Sequence, residues 1–202
     1  MTTVTHAPVV TALRARGRDR VAVDLDGSRW RVVPAEAVYV AGLSVGGALD
    51  RATARTLGRE LRRLDAQGLA VRALRARDHT VASLEQRLAD RGAAPGVRRE
   101  TLDAAQRAGL VDDRRFARGR AELLAARGAG DQLIASDLER QGVPDADIRA
   151  VLGFLEPESS RAATLIEARG RSPRTARHLA AKGFSEETLE WLVADLSSDA
   201  VD

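Results

Sequence analysis

The chain has 202 residues and a formal net charge of +3, and its content of 44% apolar and 30% charged residues excludes an intrinsically disordered protein. It contains no cysteine, which excludes disulfides, thiolate metal sites and cysteine nucleophiles and favours a cytoplasmic location. No apolar run approaches the roughly 20 residues of a membrane span, and the first residues lack the pattern of a signal peptide.

Charge is distributed unevenly along the chain. Residues 1–66 hold 11 basic and 7 acidic residues, residues 67–127 hold 13 and 8, and residues 128–202 hold 8 and 14. The final third is therefore acidic although the whole chain is basic, which argues against a protein that coats a phosphate backbone uniformly. We expect an anionic partner to meet only part of the surface.

The beginning of the chain favours β structure. Three short segments are rich in β-branched residues: Val9–Arg14, Arg20–Leu25 and Ser28–Val33. Asp26 and Gly27 form a two-residue turn between the second and third segments, and this dipeptide predicts a β-hairpin. Pro34 is placed to start a short helix, and apolar residues at 54, 57, 61 and 64 predict an amphipathic helix over residues 51–64.

An internal repeat begins at about residue 67. Each copy has a glycine four residues after a leucine of a short amphipathic helix: Gly92 after Leu88, Gly142 after Leu138 and Gly183 after Leu179. Glycine adopts the left-handed conformation that ends many helices, so each glycine predicts a helix C-terminus.

Apolar residues recur at fixed offsets beyond these glycines. Six, nine, ten and thirteen residues further on, the second copy has Ile148, Val151, Leu152 and Leu155, and the third has Leu189, Leu192, Val193 and Leu196. This helical spacing predicts a further core-facing helix in each copy. At the same offsets from Gly92, the first copy has residues that are smaller or more polar: Arg98, Thr101, Leu102 and Ala105.

Every copy also has a helical segment before the glycine helix: Ala70–Arg77, Phe116–Arg127 and Arg161–Arg169. Thr80, Asp131 and Ser172 are the expected N-caps of the glycine helices. The predicted fold is therefore mainly α, with three tandem three-helix repeats that form an elongated rod after a small β-hairpin-containing N-terminal unit. The expected domains are residues 1–66, 67–115, 116–157 and 158–202.

Two stretches resemble the RecX family: Leu-Glu-Gln-Arg-Leu-Ala-Asp-Arg-Gly at 84–92 and Gly-Leu-Val-Asp-Asp-Arg-Arg-Phe-Ala at 109–117. The resemblance covers roughly residues 68–196 and departs from the family pattern at 93–96. It implies a negative regulator of the RecA recombinase in DNA repair, which binds the RecA–DNA filament and inhibits its growth, ATP hydrolysis and strand exchange. It implies neither a cofactor nor a small-molecule substrate.

No residue pattern predicts catalysis or metal binding. Asp112 and Asp113 are adjacent carboxylates at a predicted helix start, where carboxylates cap N–H groups and complement the helix dipole. A catalytic pair is the disfavoured alternative, because consecutive residues there point in different directions. The three histidines are far apart in the sequence, so we expect a protein that is not an enzyme and has no metal site.

Basic residues on the predicted helices are the candidate partner-binding site. They lie opposite the expected core positions: Arg87, Arg91, Arg114, Arg115, Arg118, Arg174, Arg177 and Lys182. A solvated, arginine-rich surface without a partner is the alternative interpretation. As a set, these residues suit the long negative groove of a RecA filament, with weak direct contact to DNA as a further alternative.

A helix-turn-helix DNA-binding regulator is the rival hypothesis, because each copy has short helices joined by tight turns. Such a protein usually presents one strongly basic recognition helix. The segments 145–155 and 186–196 are acidic instead, and phosphate would repel them. Only six aromatic residues occur, and Phe116, Phe154 and Phe184 lie at or beside predicted core positions, so no surface for base stacking is predicted.

Overall fold

The computed structural model describes residues 6–190, which form three strands followed by helices. The elements are β1 (Val10–Ala15), β2 (Arg20–Leu25), β3 (Ser28–Pro34), α1 (Ala35–Val40), α2 (Arg51–Ala76), α3 (Val81–Asp90), α4 (Pro95–Arg107), α5 (Asp113–Ala126), α6 (Asp131–Arg140), α7 (Asp145–Leu152), α8 (Glu158–Arg169) and α9 (Pro173–Ala181). A further helical segment covers 186–190. The mainly helical fold class with a small β unit at the beginning of the chain is confirmed.

The three strands form one antiparallel sheet in the order β1-β2-β3. Asp26 and Gly27 connect β2 to β3 with φ angles of 50° and 83°, which confirms the predicted hairpin turn. Val10, Val23 and Val33 on the strands pack with Val38 of α1 into an apolar cluster. Pro34 precedes the first residue of α1, as the sequence predicts.

Helix α2 is one continuous helix of 26 residues, whereas the sequence predicted two helices over 51–64 and 70–77. The expected break was wrong because Gly68 costs a helix interior only about 1 kcal/mol. The buried side chains of Ala66, Leu69 and Ala70 outweigh that cost. Asp50 caps the helix by accepting a hydrogen bond from the Thr53 N–H at 2.8 Å, and this bond lowers the pKa of Asp50.

The chain divides into two compact units. Among the described residues, the first unit consists of 6–72 together with 88–101, and the second consists of 73–87 together with 102–190. Helices α2, α3 and α4 each have residues in both units. The division into three repeats therefore stays a prediction.

The three glycines of the sequence repeat end α3, α6 and α9 in the same way. Gly92, Gly142 and Gly183 have φ angles of 76°, 75° and 76°. The N–H of the residue after each glycine donates to the carbonyl of the leucine four residues before the glycine, at 3.1, 3.1 and 3.2 Å. This hydrogen bond defines a Schellman motif. All three leucines are completely buried, so the predicted helix ends are confirmed.

Two apolar clusters lie in the second unit. One contains Ile134, Leu138, Ile148 and Val151 with alanines of α5, and Leu152 and Leu155 pack against it. The other contains Ala162, Ile166, Leu179 and Phe184, and Leu189 packs against it. The inward positions predicted for the second copy are thus confirmed, while Leu192, Val193 and Leu196 lie outside the described residues.

Phe154 departs from the prediction. It follows the end of α7 at Gly153, and 87% of it is exposed. Leu155 is the residue that packs against the core there. Phe116 packs against the same cluster and Phe184 is buried, so these two phenylalanines have the expected positions.

Candidate functional site

The basic face of α5 is built as the sequence predicts. Ala117 and Ala121 are completely buried, and this orients the helix so that three arginines face solvent. The exposed fractions of the Arg114, Arg115 and Arg118 side chains are 84%, 59% and 74%. The three side chains are therefore accessible to a partner from one helix face.

Each of these arginines has a nearby oxygen partner. The Arg114 Nε lies 2.7 Å from an Asp147 oxygen, and this hydrogen bond raises the pKa of Arg114. Arg118 donates to Glu122 at 2.9 Å, and Arg115 donates to the Gly109 carbonyl at 3.1 Å. Salt bridges of such exposed arginines are screened by solvent and contribute little to stability, so an anionic partner can replace the carboxylates of Asp147 and Glu122.

Helix α9 carries the second predicted set. Arg174 and Arg177 are exposed, and Lys182 is half-buried. Arg174 lines a cleft of about 310 Å³ with Arg169 and His178. Burial lowers the pKa of His178, and the positive charges of Arg169 and Lys182 lower it further. This cleft therefore presents arginines beside a histidine whose neutral form is favoured.

Lys182 also has a structural role that no sequence pattern predicts. Its carbonyl accepts a hydrogen bond of 2.8 Å from the Gly130 N–H, at the start of α6. The end of α9 is thus attached to the start of α6 by main-chain atoms. The α5 arginines do not line the cleft at α9, so the two basic sets are separate sites on the second unit.

Arg87 and Arg91 are both exposed. Arg91 lies just beyond the end of α3 and lines a cleft of the first unit together with Arg62 and Arg72. Of these three arginines, only Arg91 was predicted from the sequence to bind a partner, while Arg62 and Arg72 were not. The helix that contains Arg62 was predicted from its apolar residues, and the arginines on its other faces were the signal that could have indicated a basic surface.

The adjacent carboxylates Asp112 and Asp113 hold two different helix ends. Asp112 caps α5 by accepting from the Arg115 N–H at 3.0 Å, which confirms the predicted cap. Asp113 accepts from the N–H of Val81, the first residue of α3, at 2.8 Å. Burial raises the pKa of Asp113, and the nearby carboxylates Asp147 and Asp112 add to this increase.

Two of the three other predicted caps are confirmed. Thr80 accepts from the Ser83 N–H at 3.0 Å, and Ser172 accepts from the Thr175 N–H at 3.1 Å. The cap of α6 was assigned wrongly, because Gly130 holds that position and Asp131 is the first helical residue. The Asp131 N–H instead donates to Glu158, the first residue of α8, at 2.7 Å.

Glu158 collects several hydrogen bonds besides the one from Asp131. It accepts from the Ser185 N–H at 3.1 Å, the Ser185 hydroxyl at 2.5 Å and the Thr188 hydroxyl at 3.0 Å. Burial alone would raise the pKa of Glu158, but these hydrogen bonds outweigh burial and hold the pKa below its usual value. Glu158 therefore attaches the starts of two other helical segments to the start of α8.

Within residues 6–190, no three histidine or carboxylate side chains are grouped so that they could hold a metal ion. Among the helices of this same range, none is both long enough and apolar enough to cross a membrane.

Comparisons with known proteins identify the family, although no family model matches the chain. Regulatory protein RecX of Mycobacterium leprae (strain Br4923) is 34% identical over 146 residues, which cover 65% of this chain and 85% of the relative. Regulatory protein RecX of Chromohalobacter salexigens is 35% identical over 134 residues, which cover 62% of this chain and 88% of the relative.

Solved structures agree with this result at the level of the fold. A crystal structure of regulatory protein RecX matches with a TM-score of 0.74 and 19% identity, and the match covers 93% of this chain and 99% of that one. RecX from Lactobacillus salivarius matches with a TM-score of 0.58 over 67% of this chain and 97% of its own. The curated relatives are more than 30% identical over most of their length, and therefore this chain belongs to the RecX family of regulatory proteins.

Proposed function

We propose that this protein is a cytoplasmic negative regulator of the RecA recombinase. It binds the RecA–DNA filament and inhibits filament growth, ATP hydrolysis and strand exchange. The identity with regulatory RecX proteins over most of their length is the observation that carries this proposal.

Binding through basic helix faces supports this function. The arginines of α5 are exposed, and their local ion pairs are weak enough to exchange for acidic groups of a partner. The α9 set offers a second basic site with Arg174 and Arg177. We propose that Arg87 and Arg91 contribute to the same filament contact.

Regulation by binding requires no catalytic residue or cofactor. Asp112 and Asp113, the carboxylates that could have formed a catalytic pair, both accept hydrogen bonds from helix N-termini. A helix-turn-helix mode of DNA binding is disfavoured, because α7 carries Asp145 and Asp147 in its first turn.

The test measures RecA ATP hydrolysis on single-stranded DNA. One variant replaces Arg114, Arg115 and Arg118 by Glu, and a second replaces Arg174, Arg177 and Lys182 by Glu. We expect both variants to inhibit RecA less than the wild type does, with a difference that shrinks as salt rises, because exposed charges are screened over about 8–10 Å at 0.1–0.15 M ionic strength.

Two controls distinguish the effect of the binding site from the effect of net charge, and the first of them is matched in charge. Arg107, Arg127 and Arg149 are exposed arginines on other parts of the surface, and their replacement by Glu changes the net charge equally. This control should inhibit like the wild type. Glu186→Lys with Glu190→Lys should inhibit at least as well as the wild type. If the Glu reversals lose inhibition and the Arg reversals keep it, the filament is held by the acidic segment instead.

A further inference from the structure

The cleft of the first unit combines aliphatic and charged side chains. It has a volume of about 400 Å³, and its lining residues come from 62–72 of α2 and from the turn at 91–94, all inside the first unit. Leu69 is buried and Leu64 is half-buried. Small residues complete the lining: Ala66, Gly68, Gly92, Ala93 and Ala94. Aliphatic and small side chains therefore form the floor of the cleft.

Three exposed arginines form the rim of this cleft. Arg62 and Arg72 belong to α2, and Arg91 lies in the turn after α3. Among residues 6–190, none of these three arginines forms a salt bridge. Asp65 is the acidic residue of the lining, so three arginines against one aspartate leave an excess of two positive charges. The rim is therefore free to pair with carboxylates of a ligand.

The guanidinium groups of the two α2 arginines are well separated along the helix. A Cβ atom on Gly58 would lie 3.5 Å from the Arg62 Nη1, and one on Gly68 would lie 3.3 Å from the Arg72 Nη1. Both groups thus lie one turn back along α2 by the same amount. Their separation is that of ten residues, about 15 Å along the helix axis.

An extended peptide matches this separation. Successive side chains of an extended chain point to opposite sides, so those at positions one, three and five point to the same side. Positions one and five are about 13 Å apart at the rise of a β-strand. Two carboxylates at these positions can therefore reach Arg62 and Arg72 while the side chain at position three points to the floor between them.

We infer that this cleft binds an extended acidic segment of a partner protein, with carboxylates at positions one and five and an aliphatic side chain at position three. The carboxylates pair with Arg62 and Arg72, because a planar guanidinium matches both oxygens of a carboxylate. The aliphatic side chain is buried against Leu69. Arg91 adds positive charge from the turn after α3 and favours further acidic residues in the segment.

The floor distinguishes this ligand from a nucleic acid. A phosphodiester backbone supplies negative charge but no aliphatic side chain to cover Leu64 and Leu69. Base stacking requires exposed aromatic rings, and none lines the cleft. Protein interfaces, in contrast, are rich in arginine and bury apolar anchors in pockets. The inference goes beyond the proposed regulation of RecA and is tested without RecA, so either can fail without the other.

The experiment measures fluorescence anisotropy of labelled synthetic peptides with the full chain. The first peptide has aspartate at positions one and five and leucine at position three, between flanks of glycine and serine. The second has the same composition, but its leucine is moved to position two and points away from the floor. The first peptide should bind roughly tenfold more tightly, because its leucine alone is buried.

Two variants of equal net charge test the arginines. One replaces Arg62, Arg72 and Arg91 by Gln. The control replaces three exposed arginines on other parts of the surface by Gln: Arg107, Arg127 and Arg149. The cleft variant should bind the first peptide roughly tenfold or more weakly than the control, because charge-assisted hydrogen bonds are lost. Circular dichroism and thermal melting should show both variants folded, since Gln has a high helix propensity.

A third variant distinguishes lost binding from lost stability. Ala94 precedes Pro95, the first residue of α4, and its carbonyl accepts from the Arg98 N–H at 2.9 Å. It therefore occupies the N-cap position, where Asp is much more favourable than Ala. Ala94→Asp should keep or raise the melting temperature and yet weaken peptide binding several-fold, because it adds a negative charge to the cleft lining. Asp65→Asn should strengthen binding, because it removes one.

Equal affinities for the two peptides would overturn the inference, because binding would then depend on charge alone. Equal affinities of the cleft and control variants for the first peptide would also overturn it, as would failure of the wild type to bind this peptide at low salt. Labelled oligodeoxythymidylate serves as the last probe. If the cleft variant loses affinity for this strand as strongly as for the first peptide, the surface is a phosphate site and the inference is wrong.

Discussion

Gly142 at the end of α6 lies directly against Ala82 in the first turn of α3, since a Cβ atom on Gly142 would stand only 2.5 Å from the Ala82 Cβ. The neighbouring Gln141 carbonyl accepts a hydrogen bond from the Thr80 hydroxyl at 2.6 Å. The end of α6 can therefore lie this close to the start of α3 only because glycine has no side chain.

Two glycine substitutions together measure how much stability depends on this close contact between Gly142 and Ala82. Gly142→Ala should lower the free energy of unfolding through both the positive φ angle and the clash with Ala82, by clearly more than the roughly 1–2 kcal/mol of the left-handed conformation alone. Gly92→Ala has the same φ angle but nothing within 4 Å, so it should show only the conformational cost. Urea denaturation of both variants gives the comparison, and equal losses would contradict the close contact.

The hydrogen bonds of Glu158 predict a pH dependence of stability. The folded-state pKa of this carboxyl lies below its usual value near 4.5, so the unfolded chain binds more protons in the interval between the two pKa values. The stabilisation is present above pH 4.5 and is lost as pH falls through the lowered pKa. Glu158→Gln should therefore melt at a lower temperature than the wild type near pH 7, and the difference should shrink in acid. A difference that stays constant from pH 7 to pH 3 would refute the role of the charge.

Substitution of Asp112 and Asp113 distinguishes a structural role from a chemical one. Asp112→Ala should cost about 0.5–2 kcal/mol through loss of the α5 cap, whereas Asp112→Asn should be nearly neutral, because Asn caps almost as well. The double variant with Asn at both positions should still inhibit RecA. Loss of inhibition at an unchanged melting temperature would assign a chemical role to these carboxylates.

Core and surface positions of the second unit should respond very differently to truncation. Leu138 is completely buried, and Leu138→Ala should cost about 2–5 kcal/mol in the free energy of unfolding. Phe154 is 87% exposed, so Phe154→Ala should change this free energy by less than about 0.5 kcal/mol. Guanidinium denaturation of the two variants provides the measurement, and a large loss for Phe154→Ala would place its ring in the core.

Local rules explain which parts of the fold could be predicted from the sequence. The Asp26-Gly27 hairpin and the helix ends at Gly92, Gly142 and Gly183 follow from backbone preferences that need only a few neighbouring residues. The break expected before Ala70 was wrong because tertiary burial decided the outcome there. The exposure of Phe154 likewise depends on which of two adjacent apolar residues the packed helices accommodate.

The candidate sites also contain some features that local sequence patterns predict and others that depend on contacts between distant residues. The exposed arginines of α5 could be predicted, because the buried alanines opposite them have helical spacing. The bond between Asp113 and the Val81 N–H joins residues 32 positions apart, and no local pattern encodes it.

The attachment of helix ends through main-chain atoms also bears on how such a chain can evolve. Gly130 donates to the Lys182 carbonyl, a Cβ atom on Gly130 would overlap the main chain at Gly183, and Gly183 itself lies against Leu133. These contacts specify few side chains, but they leave no room for a Cβ atom at either glycine. We therefore expect natural variants to tolerate many substitutions on the outer surfaces of α6 to α9 and to keep glycine at both 130 and 183.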